Sequence, residues 1–105
     1  MPNPRIEPLK KVLTLEPDDD VAWFGLGKAY MDDDNWEEAV AALESCIRVK
    51  PSYSAAYLAL AQSLQQLQRF ERCRAVCETG IEVSRKNGDA MVTKNLEMLV
   101  ASLPA

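Results

Sequence analysis

The sequence predicts an all-α array of antiparallel helix pairs, and three observations carry that expectation. Trp23, Leu26, Gly27 and Tyr30, followed by Ala39, Leu43, Cys46 and Pro51, follow the spacing W-x2-L-G-x2-Y…A-x3-L-x2-C-x4-P. That spacing sets apolar residues on one face of each of two helices and ends the second at a proline. The chain also overlays itself when shifted by 34 residues: Trp23 falls on Tyr57, Leu26 on Leu60, Gly27 on Ala61, Tyr30 on Leu64, Trp36 on Phe70 and Ile47 on Ile81. A period of that length belongs to stacked helix-turn-helix units. Third, only four glycines stand among 105 residues that are 48% apolar, which excludes disorder and leaves a compact, helix-rich class.

Each element has its own punctuation. Pro8 suits the first turn of a short helix ending near Leu15, and Pro17 prevents its continuation. Asp18 to Asp20 offer a cap and negative charge to the exposed amides of the next helix. Asp34 with Glu37 reads as a capping box for the helix after it, which Pro51 ends. The turn Gln65-Gln66-Leu67-Gln68-Arg69 is weaker punctuation, whereas Asn87-Gly88 is a firm stop and Asp89 a cap for a last helix. Run backwards, the overlay sets Pro51 on Pro17, Leu43 on Leu9 and Cys46 on Val12. The predicted organisation within residues 5–105 is therefore a half repeat (6–17), two full repeats (20–53 and 54–87) and a closing helix (89–103). Gly27 and Ala61, with Ala39 and Cys73 opposite, mark the tightest helix approaches. Trp23, Tyr30, Trp36, Tyr57 and Phe70 supply the large apolar partners.

These residues make the chain resemble a small tetratricopeptide repeat (TPR) protein, well over residues 20–87 and loosely at the flanks. The second unit departs from the family pattern at Cys77, where a larger apolar residue is usual, at Gly80 for Ala, and at Arg85 for the closing Pro. The last departure predicts a fourth helix that runs on to about Lys86. The resemblance implies a right-handed superhelix whose concave wall is built by the first helix of each repeat and holds a peptide or helix of a partner protein. The wall it implies is Val21, Phe24, Lys28 and Met31, then Ala55, Leu58, Gln62 and Gln65, then Val92, Leu96 and Leu99 on the closing helix. Phe24, Leu58 and Val92 recur every 34 residues, an apolar ladder across the groove. A subgroup of the family grips a C-terminal carboxylate with Lys, Asn and Arg side chains. Here Phe24, Lys28 and Ala59 leave one cation at the matching positions, so an apolar or mixed contact is expected instead.

Composition narrows the rest. A net charge of −4 argues against nucleic acid, whose binding is driven by clustered Lys and Arg. Residues 1–53 carry six basic against eleven acidic groups and residues 54–105 six against five, a mild dipole. No stretch is long and apolar enough for a signal or a membrane span, and three cysteines without an export signal are expected reduced, in the cytoplasm. Cys73 and Cys77, four apart on one helical face, are too few for zinc in a chain without histidine and are placed badly for a disulfide. Neither Asp18-Asp19-Asp20 nor Asp32-Asp33-Asp34 has a calcium loop's ligand pattern, and Gly25-Leu26-Gly27 is a lone G-x-G inside a helix. No cofactor, metal or catalytic residue is expected, since no Ser or Cys has an activating base. Val92, Leu96, Leu99 and Leu103 form one stripe of the closing helix, with Met91 and Met98 on a neighbouring line. Together with the unpaired first helix (Ile6, Leu9, Val12 and Leu13), that surplus leaves open a homodimer, or a structural piece that assembles through its terminal helices, beside the adaptor or scaffold reading.

Overall fold

The computed structural model describes residues 2–104, and among them all regular structure is helical. Six helices follow one another: α1 (Ile6–Leu15), α2 (Asp20–Asp32), α3 (Trp36–Val49), α4 (Ser54–Gln66), α5 (Phe70–Asn87) and α6 (Ala90–Ala101). Each packs against its neighbour in sequence. In addition α2 touches α4 and α4 touches α6, whereas α1, α3 and α5 do not approach one another within 8 Å between Cα atoms. One layer is therefore tight and the other splayed, which makes the α2–α4–α6 side the inner one. None of the helices is long and apolar enough to cross a membrane.

The pairs close up where side chains are smallest. A Cβ built on Gly27 would stand 2.6 Å from Leu43 Cγ, so α2 and α3 meet with only hydrogen at that point. Ala61 occupies the matching site on α4, where the Cys73 thiol of α5 donates to its carbonyl at 3.2 Å. Ala39, Leu43, Ala61 and Cys73 are all fully buried. Of the five aromatic residues expected in the core, Tyr30 and Tyr57 are buried and Trp23, Trp36 and Phe70 are half-buried. Trp23 and Tyr57 repeat a further device. The indole N–H donates to the Pro17 carbonyl at 2.7 Å and the phenol to the Pro51 carbonyl at 2.6 Å. Each ring lies against apolar neighbours while its polar end takes up the carbonyl left free where the preceding helix stops.

Turn chemistry follows the sequence with two corrections. Asp19 caps α2 by accepting from Ala22 N–H at 3.0 Å, and Gly88 ends α5 in the left-handed region at φ +70°. Asp34, however, is not the α3 cap. It takes φ +58°, and Asn35 caps the helix by accepting from Glu38 N–H at 3.4 Å. Asp34 and Asn35 are both competent caps, and a tight turn needs one of them in the left-handed conformation that Asp tolerates. Asp89 likewise gives α6 no side-chain cap; its carboxylate accepts from the Ser54 hydroxyl at 2.8 Å and ties α6 to the start of α4. Gln68 matches Asp34 at φ +59°, and each of these turns is closed by an equivalent bond, Asn35 N–H to Tyr30 O and Arg69 N–H to Leu64 O, both 2.9 Å. α5 runs to Asn87, four residues longer than α3 in place of a closing proline.

Two substitutions test this packing by urea unfolding. Gly27→Ala is expected to lose about 1–2 kcal/mol, because crowding against buried Leu43 outweighs the gain in helix propensity. Gly25→Ala, whose Cβ would stand 3.4 Å from the nearest Leu9 atom, is expected to be neutral or to gain up to about 1 kcal/mol. At the second turn, Gln68→Gly is expected to add about 0.5–1 kcal/mol by removing a left-handed non-glycine residue.

Candidate functional site

The inner layer carries the residues named for the wall, and the structure distributes them unequally. On α2, Val21 is exposed while Phe24, Lys28 and Met31 are half-buried. On α4, Ala55, Leu58, Gln62 and Gln65 are all half-buried. On α6, Val92 and Leu99 are half-buried, but Leu96 is fully buried and offers no surface. The reason lies one helix back. Gly80 has no side chain, and a Cβ there would meet Leu96 Cδ1 at 2.8 Å and Tyr57 Cβ at 2.7 Å. Leu96 fills the space Gly80 leaves and so holds α6 to α5, whereas Gln62, at the same place one period earlier, follows Cys46 and stays at the surface.

Phe24, Leu58 and Val92 each pack one side on the core and keep the other partly open. Phe24 has a partner the sequence reading missed. Its ring stacks on Tyr53, centroids 5.0 Å apart and planes 28° off parallel. Tyr53 stands where α4 would take a capping side chain, and it makes no cap bond. An aromatic residue at a cap position was the available signal. Burial, with the nearby Cys46 and Asp20 adding to it, pushes the Tyr53 phenol above its ordinary value, so the hydroxyl stays a neutral donor at physiological pH. Offset stacking fixes Phe24 in one orientation and extends the ladder with a second ring. Lys28 is the cation among the wall residues named on α2 and α4. Such a surface can hold an apolar or mixed segment in a defined register, with Lys28 able to meet one carboxylate or carbonyl.

The three cysteines are free and fully buried. Burial pushes the Cys46 thiol up to about 11 and that of Cys77 to about 12, the nearby Cys73 sulfur adding to the latter. Neither group is held as a thiolate near neutral pH, which is the form a nucleophile or metal ligand requires. Among the described residues no three His, Cys, Asp or Glu side chains converge on a point.

Comparison with known proteins gives a consistent family. A family model described as tetratricopeptide repeat matches residues 31–93. A TPR repeat-containing protein of Pseudomonas aeruginosa is 31% identical over 98 residues, 93% of each chain. Among solved structures, a protein of Bordetella parapertussis is 28% identical with a TM-score of 0.80, covering 93% of this chain and 85% of that one. The TPR2B domain of yeast Sti1, solved in complex with pHsp70, superposes with a TM-score of 0.86 over 91% of this chain and 77% of that one. At 12% identity the yeast domain shares the fold alone.

The thiols give this packing a pH signature. The shifts run upwards in the folded state, so the stability they contribute is complete below the ordinary thiol value of 9.0 and is lost as pH rises towards 11–12. Urea titrations at increasing pH are expected to show stability falling above about pH 9. At neutral pH a thiol reagent is expected to react with the native chain only as fast as the helices open, and rapid native labelling of Cys46 or Cys77 would contradict it.

Proposed function

Since the chain belongs to the tetratricopeptide repeat family, we propose that it is a non-catalytic protein-interaction module whose inner wall, α2, α4 and α6, holds a peptide or helix of a partner protein. The family's fold generally serves as a protein–protein interaction module. The observation that carries the reading for this chain is the ladder of Phe24, Leu58 and Val92, apolar side chains left half-open on the inner layer. A folded monomer gains by covering such side chains, and the gap between their present and full burial is the free energy a partner can draw on.

The wall in this reading comprises Val21, Phe24, Lys28 and Met31, then Ala55, Leu58, Gln62 and Gln65, with Val92 and Leu99 from α6. Tyr53 joins it and Leu96 supports it from beneath. The units are a half repeat (6–17), repeats 20–53 and 54–87, and a closing helix (89–103), each first helix adding one rung. The complex of the yeast neighbour supports a protein partner in general. The positions that would form a carboxylate grip are Phe24, Lys28 and Ala59, which supports an apolar or amphipathic segment over a charged chain terminus. Buried free thiols support a reducing compartment such as the cytoplasm.

Peptide display against the wild-type chain, followed by amide shift mapping of the selected peptides, tests this. Perturbations are expected around Phe24, Tyr53, Leu58 and Val92, and Phe24→Glu/Leu58→Glu is expected to lose binding by at least about tenfold, the scale of one desolvated anchor. Perturbations confined to the outer faces of α3 and α5 would contradict it.

A further inference from the structure

We propose that copies of this chain associate head to tail, α6 of one copy docking in the open groove between α1 and α2 of the next. The groove is about 610 Å3 and is lined by residues that include Pro8, Leu9, Val12, Ala22 and Gly25. One period further along stand Ala42, Leu43, Cys46, Ala56 and Ala59, every one of them buried. What covers Leu43 there is α2, whose Gly27 presses on it. The groove thus has the shape that a helix of the inner layer fills one period further along, and among the described residues none covers it.

α6 has the complementary deficit. Trp23 and Tyr30 of α2 lie beside Ala41 and Ala42 of the following helix, and Tyr57 of α4 beside Ala75 and Val76 of the helix after it. The same positions on α6 are Met91 and Met98, which are 69% and 61% exposed. Among the described residues no helix packs on α6 as α3 packs on α2, and none packs on α1 as α2 packs on α3. Residues 102–104 turn back towards α5, where Arg74 donates to the Pro104 carbonyl at 2.7 Å, and leave Met91 and Met98 uncovered.

Charge selects this orientation. Lys94 stands at the position of Leu26 and Leu60, which lie beside Ala41 and Ala75 respectively. One and two periods back from those alanines is the same residue, Glu7, exposed on α1. Docking in continued register therefore brings Lys94 of one copy to Glu7 of the next. It also sets the acidic half of the chain against the other half, whereas pairing two α1 ends would oppose like charges. Asn95, where α2 has Gly27 and α4 has Ala61, keeps the copies further apart than helices within a chain, so the contact is weaker than an internal one. Because donor and acceptor faces differ, the contact is heterologous and does not close on a dimer. It draws on Val21 and α6, which the wall also uses, but the variants that test it leave Phe24, Leu58 and Val92 unchanged, so the two readings fail separately.

Sedimentation velocity over a micromolar-to-millimolar range tests it, with far-UV circular dichroism confirming that each variant is folded. The wild type is expected to rise in average mass with concentration past about twice the 11.7 kDa of one chain. Met91→Glu/Met98→Glu and Val12→Glu are each expected to stay monomeric, yet to form a one-to-one complex when mixed, since each retains the face the other lacks. A wild type that stays monomeric, a Val12→Glu chain that still dimerises, or a mixture that stays monomeric would each overturn the proposal. Should a groove variant unfold, Glu7→Lys and Lys94→Glu serve instead. Either alone is expected to lower the mass shift and the two together to restore it, and an unrestored double variant would overturn the assignment.

Discussion

The close approach of each helix pair is the constraint on which the remaining structure depends. At Gly27 there is no room for a methyl group, and at Ala61 the Cys73 thiol of α5 reaches the α4 backbone carbonyl itself at 3.2 Å. Backbones that come so near fix the pair as a rigid unit with one apolar edge still uncovered. No pair can bury that edge alone, so the next must stack on it. The repeated bonds from Trp23 to Pro17 and Tyr57 to Pro51 then set how the next helix leaves the preceding one. Surface ion pairs such as Arg69 with Glu37 add little in water and follow the packing rather than direct it.

That constraint also decides what the surface offers. Small residues close each inner helix onto an outer one, the inner helices touch while the outer ones do not, and Phe24, Leu58 and Val92 stay half-open on the inner layer. On α6 the same rule leaves a face that no described residue covers. Met91 takes the register of Trp23 and Tyr57 but cannot make their hydrogen bond, and it stands in solvent. Inner wall and exposed faces of α1 and α6 are therefore two consequences of one packing scheme, in which each helix pair leaves an apolar edge for the next.

The helix pairs were legible because their signal is local and repeated. A W-x2-L-G-x2-Y run and its echo 34 residues on leave few other ways to bury those side chains. Asn87-Gly88 was legible because a left-handed stop selects glycine. The failures have physical causes. Asp34 and Asn35 are chemically close, and the turn's dihedral need assigned their roles, which no side-chain preference reveals. Leu96 shares its register with the half-buried polar Lys28 and Gln62, and its burial depends on a void left by Gly80 on another helix. The stacking of Phe24 on Tyr53 joins residues far apart in sequence at a cap position and has no periodic trace.

Stacking that stabilises each pair through its neighbours makes a gradient along the chain, and native-state hydrogen exchange in dilute solution reads that gradient directly. The slowest amides are expected in α3 and α4, which are covered from both sides, with α1 and α6 opening first and independently of the centre. Equal protection of α1 and α6 with α3 and α4 in a dilute monomer would contradict the account, because helices without a partner on one side would then need no neighbour to hold them.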